Sequence, residues 1–99
     1  SGIKGVFIMA GIKANIKGMV MAIENKEFQK EDGEVLQYIK LKIHDKESKQ
    51  TLDVKYAGEV EEFLQKGVEE YETYNIILEF STYNNSGRNL ISCKVTNIE

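Results

Sequence analysis

The chain contains no proline and no tryptophan, one cysteine (Cys93) and one histidine (His44). Without proline, nothing in its 99 residues marks a place to divide it, and a single domain over 1–99 with a modest core is expected. The lone cysteine excludes an internal disulfide. Cys93 falls on an apolar position of "LISCKV" and reads as a small core hydrophobe in a reducing cytoplasm. A single histidine is too little for a metal site or a nucleophile–base pair, and His44, after a strand at a charged turn, reads as an exposed bystander. No phosphate-cradling G-x-x-x-x-G-K-[ST] loop occurs, and no spacing converges the carboxylates. Neither an enzyme, a cofactor nor a metal is therefore expected. No apolar run approaches the roughly 20 residues that span a bilayer. Val6 to Ala10 is too short for the apolar region of a signal peptide, so a cytoplasmic protein with no membrane partner is expected.

The net charge is −3, the wrong sign for a phosphate binder, but the acidity is localised. From Ser1 to Tyr56 there are ten Lys against eight Asp or Glu; from Ala57 to Asn75 there are six Glu against one Lys. The remainder carries Arg88 and Lys94 against Glu79 and Glu99.

Alternation of apolar and polar residues dominates the chain. "IKANIKGMVMAI", Ile12 to Ile23, reads as a long first strand with Ile12, Ala14, Ile16, Gly18, Val20 and Ala22 on one face. Gly18 in mid-strand predicts a bend or bulge. Glu24 to Glu34 reads as a polar loop ending in the hairpin signal Asp32-Gly33. "QYIKLKI" alternates without a fault, with Ile39, Leu41 and Ile43 inward and Tyr38, Lys40 and Lys42 outward. A third strand, "TLDVKY", follows the turn "DKESKQ" and sends Leu52, Val54 and Tyr56 inward. "EVEEFLQKG" switches to helical spacing, with Val60, Phe63 and Leu64 at i, i+3 and i+4. Gly58 serves as its cap, and a stop at Gly67 is preferred to continuation through Tyr71. "YNIILEFSTY" and "RNLISCKVTNI" are two further strands joined by the turn "NNSG". Tyr56, Phe63, Tyr71 and Phe80 fit core positions, as do Ile91, Cys93 and Val95. The segment Ile3 to Gly11 is a candidate leading strand or dimer contact.

Five strands with one short helix between the third and fourth is the order of the OB-fold, a Greek-key β-barrel. With "YAGEVEEFLQKG", Tyr56 to Gly67, the chain resembles OB-fold single-stranded DNA-binding proteins, particularly the small ones of phages and mobile elements. As in that family, the third strand leads into a short helix that ends in a Leu-x-Lys-Gly-like turn. The resemblance covers the order of elements over Ile12 to Ile98. It departs in the absence of tryptophan, a frequent stacking residue there, and in stopping at "TNIE" without a Gly-rich tail.

The resemblance implies a ligand face on the outside of the second and third strands, framed by the first hairpin loop and the fourth–fifth strand loop. Non-specific single-strand binding combines cations along the phosphates with flat side chains that stack on bases. On that surface fall Tyr38, Lys40, Lys42 and Lys55, with Lys13 and Lys17 on the first strand. Lys26, Phe28 and Lys30 come from the first loop, and Tyr83 and Arg88 from the second. Each has an ordinary alternative: Phe28 folding onto the barrel rim, Tyr83 packing across strands, Tyr38 covering a neighbour, the lysines as a solvated face. Glu24, Glu27, Glu31, Asp32 and Glu34 oppose the loop lysines, and the acidic helix is expected to face away from the ligand. The implied partner is single-stranded DNA, with RNA also admitted, bound without chemistry during replication or recombination. A homo-oligomer, a dimer above all, is expected from the gain in avidity. The alternative is a protein-interaction module on the same barrel, using the acidic helix or "GVFIMAG".

Overall fold

The first strand does not keep one phase. In the computed structural model, which describes residues 11–99, β1 runs Ile12–Gln29, β2 Val35–Asp45, β3 Thr51–Tyr56, α1 Val60–Lys66, β4 Thr73–Asn85 and β5 Arg88–Ile98. Along β1, Gly18 and Val20 are buried, after which the register against β2 slips between Val20 and Ala22. Val20 pairs with Ile43 and Ala22 with Lys42, so Met21 is the extra residue of a bulge. The backbone after the helix braces it. Tyr71 N–H donates to Val20 C=O at 2.6 Å, Val20 N–H to Glu72 C=O at 3.0 Å, and Ile23 N–H to Glu70 Oε2 at 3.0 Å. Beyond the bulge Ile23 rather than Ala22 shares the inward face, opposite Leu41. This corrects the single alternation expected for Ile12 to Ile23.

Gly18 is not the bulge. It lies buried where a Cβ would come within 2.6 Å of Ile43 Cγ2, so its role is to let β1 pass over the packed core. The expected loop Glu24 to Glu34 is also largely strand. The ladder continues through Phe28↔Leu36 and Gln29↔Val35, leaving Lys30 to Glu34 as the turn. There Gly33, at φ 92°, donates to Lys30 C=O at 2.9 Å, and Asp32 Oδ1 accepts from Glu34 N–H at 2.9 Å. The second hairpin closes on Ser86-Gly87, both at positive φ (55° and 81°), as a two-residue turn with right-handed strand twist requires.

The strands close into a barrel in the order β1-β2-β3-β5-β4. All neighbours are antiparallel except β3 and β5, which touch only through Lys55↔Lys94 and Tyr56↔Val95. The core is the inward set of Val20, Ile39, Leu41, Ile43, Val54, Tyr56, Ile76, Leu78, Val95 and Ile98, with Phe63 of α1. Phe63 meets Tyr56 edge-on, ring centroids 5.2 Å apart. Tyr56 Oη donates to Glu62 Oε1 at 2.7 Å. Burial, then the bond to Glu62, pushes the Tyr56 hydroxyl up to about 12. Helix α1 ends at Gly67, at φ 69°, as expected, but its N-cap is Glu59 and no side chain bonds there.

Two assigned core positions, Tyr71 and Ile91, are in fact exposed, as is Ile12 on the shared face of the first strand. Tyr71 stands at φ 68° and is 66% exposed, because its backbone bonds the β1 bulge and its ring is turned out. Ile12 and Ile91 have the inward phase but are 73% and 70% exposed, since the ends of β1 and of the β4–β5 hairpin project past the barrel. The candidate dimer contact Ile3 to Gly11 lies, apart from Gly11, outside the described residues.

Gly18→Ala is expected to destabilise the fold by about 1–3 kcal/mol through overpacking against Ile43, read as a lowered urea midpoint with unchanged slope. In an ultraviolet alkaline titration one of the five tyrosines should ionise last, near 12, and that step should be missing in Tyr56→Phe. Because the folded value lies above the unfolded one, this group's stabilisation is complete below pH 10 and is lost as pH rises towards 12.

Candidate nucleic-acid interface

The bulge at Met21 decides what the β1–β2 hairpin shows to solvent. Without it Lys26 and Phe28 would keep the inward phase of Gly18 and Val20. With it they stand outward, Lys26 opposite Tyr38 and Phe28 opposite Leu36. Phe28 is 57% exposed and Leu36 43% exposed, so Phe28 does not fold onto the rim; it forms an open apolar pair across the ladder. Tyr38 is half-buried, and Lys55 Nζ lies 4.7 Å above its ring centroid.

Across the strands a row forms. Lys40 pairs with Lys55, and Lys55 pairs with Lys94, so three ammonium groups occupy adjacent positions on β2, β3 and β5. Glu24 bounds the row on β1 and Glu79 on β4. Like charges directly opposite each other destabilise a sheet, which marks this row as something folding alone would not select. The seam between β3 and β5 is open for most of its length, because only two residue pairs bridge it. It forms a cleft of about 350 Å³ lined by Tyr38, Lys40, Asp53, Lys55, Ser92 and Lys94 on its rim, with Val54 and Cys93 beneath. Burial raises the Cys93 thiol above its ordinary value.

The remaining expected site residues divide. Lys42 is outward on β2 but faces Asp53 on β3. Tyr83 and Arg88 lie on the outward face of the β4–β5 hairpin, opposite Leu90 and Asn85, with Tyr83 half exposed. The β3–β5 register carries this hairpin past the β2–β3 turn, to the end of the face away from Phe28. Lys26 pairs with Glu24 at 3.2 Å and Lys30 with Glu34 at 3.1 Å, so acids of the first hairpin hold its lysines. These are the ion pairs found among the described residues. Lys13 faces Glu79, one strand beyond the row, and Lys17 faces Asn75 beside the β2–β3 turn. His44 Nδ1 lies 3.3 Å from Thr51 Oγ1. Hydrogen bonds from Ser48 hold the Asp45 carboxyl below its usual range and shape the same turn.

Two features escaped the sequence reading. Lys94 was visible as outward on the last strand, but only the β3–β5 contact puts it beside Lys55. The acidic helix does not wholly face away either. Glu59, Val60 and Glu61 share a groove with Val35, Leu36 and Gln37, next to Phe28's partner.

The closed five-stranded barrel with its helix between β3 and β4 is an OB-fold. Among solved structures the chain is similar to the mitochondrial single-stranded DNA-binding protein Rim1 of S. cerevisiae, at 18% identity and a TM-score of 0.63 over 90% of this chain and 94% of that one. No protein-family model matches the sequence, and no curated protein does.

Lys55→Glu turns two like-charge pairs into opposite-charge ones and gives up the contact with the Tyr38 ring, so its stability relative to the unaltered protein should gain about 0.5 kcal/mol at low salt over its value at high salt. Urea unfolding at 20 mM and 1 M salt checks this, the gain vanishing in the second.

Proposed function

We propose that the protein binds single-stranded DNA with little sequence preference, by phosphate contact and base stacking and without chemistry. The observation that carries this reading is the Lys40–Lys55–Lys94 row beside two aromatics, the exposed Phe28 and the half-buried Tyr38. Three cations in lateral register, none of them in an ion pair among the described residues, match a polyanion. Flat side chains on the same outer face supply the sequence-tolerant part. The likeness in fold to a single-stranded DNA-binding protein supports the same assignment. Protection of exposed strands in replication or recombination is the role we propose, with dimerisation adding avidity. A second reading, a protein-interaction module, draws on the groove where Val35, Leu36 and Val60 meet Glu59 and Glu61, a surface suited to a basic apolar segment.

Titration of fluorescent oligo-dT against salt tests the proposal. Saturable binding is expected at low salt, with log K falling linearly in log salt. Lys40→Ala and Lys94→Ala should each flatten the slope by about 0.7, the value for one single-strand phosphate contact. Lys13→Ala and Lys17→Ala should change it less. Phe28→Ala or Tyr38→Ala should cost about 1–3 kcal/mol with the slope retained. Absence of saturable binding at low salt would sink the reading and leave the interaction module.

A further inference from the structure

Tyr38 and Lys55 line two cavities at once. One is the cationic cleft of about 350 Å³ with Lys40 and Lys94 on its rim. The other, about 320 Å³, is lined by Phe28, Leu36, Gln37, Tyr38 and Lys55. Both volumes fall at the small end of ligand pockets. The wall they share is the Lys55 ammonium resting 4.7 Å from the Tyr38 ring centroid. One side of that wall is rich in apolar and aromatic surface; the other gathers three lysines against one carboxylate, Asp53.

We infer that this wall is a latch over a nucleotide-sized site, and that Lys55 leaves the Tyr38 ring when a strand binds. The inference rests on the single-strand reading above. A nucleotide has the same division as the two cavities: a flat apolar base and an anionic phosphate a few ångströms away. With the base between Phe28 and Tyr38, its phosphate falls to the cleft of Lys40, Lys55 and Lys94. The base and the Lys55 ammonium then compete for the same face of the Tyr38 ring. Lys55 sits between two other cations, so in the free protein the ring is its stabilising neighbour, whereas a phosphate in the cleft offers a stronger one. Lys55 thus exchanges the ring for the phosphate, and the ring becomes free for the base. The exchange works against binding by the strength of the exposed cation–π contact, about two- to fivefold in affinity.

An ordinary phosphate lysine and a latch behave differently when the charge alone is removed. With the latch, Lys55→Met loses one phosphate contact, so the salt slope flattens by about 0.7. It also has no ammonium to displace, so at high salt, where phosphate contacts are screened, it binds oligo-dT about two- to fivefold more tightly than the unaltered protein. The two lines of log K against log salt therefore cross. Nuclear magnetic resonance gives an independent readout. In the free protein the Lys55 ε-methylene protons should be shifted upfield by the Tyr38 ring, should lose that shift in Tyr38→Leu, and should lose it again on saturation with (dT)8. Parallel lines with Lys55→Met weaker at every salt, or ε-methylene protons unshifted in the free protein, would overturn the latch while oligo-dT binding by the unaltered protein left the proposed function standing. Failure of the unaltered protein to bind oligo-dT at low salt would overturn both.

Discussion

Met21 has no partner across the β1–β2 ladder, because Val20 pairs with Ile43 and Ala22 with Lys42. That one extra residue converts an 18-residue strand into two half-strands of opposite phase. The first half turns its even-numbered residues to the core beside β4; the second turns its odd-numbered residues to the core beside β2. The outer surface of the hairpin depends on the switch. Lys26 and Phe28 reach the face of Tyr38 and Lys40 only because the phase has changed, since one residue of slip exchanges the two faces of a strand. The bulge is in turn held by the stretch after the helix, through Glu70, Tyr71 and Glu72. An exposed Tyr71 at positive φ is part of how the barrel bends.

The same closure creates the cationic row. β2 and β3 are neighbours in sequence and bring Lys40 to Lys55 through a local turn. Lys94 arrives from the other end of the chain through a parallel contact of two residue pairs. The shortness of that contact leaves the seam open as a cleft, and the lysines stand at its mouth. Core and interface are two sides of the same strands: Ile39 and Leu41 face the buried side between Tyr38, Lys40 and Lys42 on the wet one. An acidic chain can present such a surface because most of its carboxylates are placed elsewhere, with Glu24 and Glu79 at the ends of the row and Asp53 on the cleft rim. Some engage Lys26 and Lys30, and others gather on α1 and the stretch that follows it.

Period-2 alternation, the helical triplet of Val60, Phe63 and Leu64, and the turn residues Asp32-Gly33, Ser86-Gly87 and Gly67 are local properties. They made the element order and the OB-fold legible, along with Tyr38, Lys40 and Lys55 as an outward set. The phase change at Met21 was not legible, because Ala22 and Ile23 are both apolar and either satisfies the pattern. The length of the first hairpin was hidden for a related reason. "ENKEF" is polar apart from Phe28 and shows no inward apolar phase, and what makes it strand is the hydrogen-bonded ladder with Leu36 to Lys40. Exposure of Ile12 and Ile91 was likewise beyond a pattern that reports phase but not where the barrel ends.

By itself the sequence determined which residues share a face within each short strand, where the chain turns, and the succession of strands and helix. These depend on backbone geometry and on neighbours a few residues away. The tertiary structure alone decided which strands lie side by side and in what register. It put Lys94 beside Lys55, set Lys55 over Tyr38, separated Lys13 from the row by Glu79 and drew Glu59 and Glu61 towards the Phe28 end. Those placements come from closing a twisted sheet over one core. Closure is a constraint on the whole chain, and no window of sequence contains it.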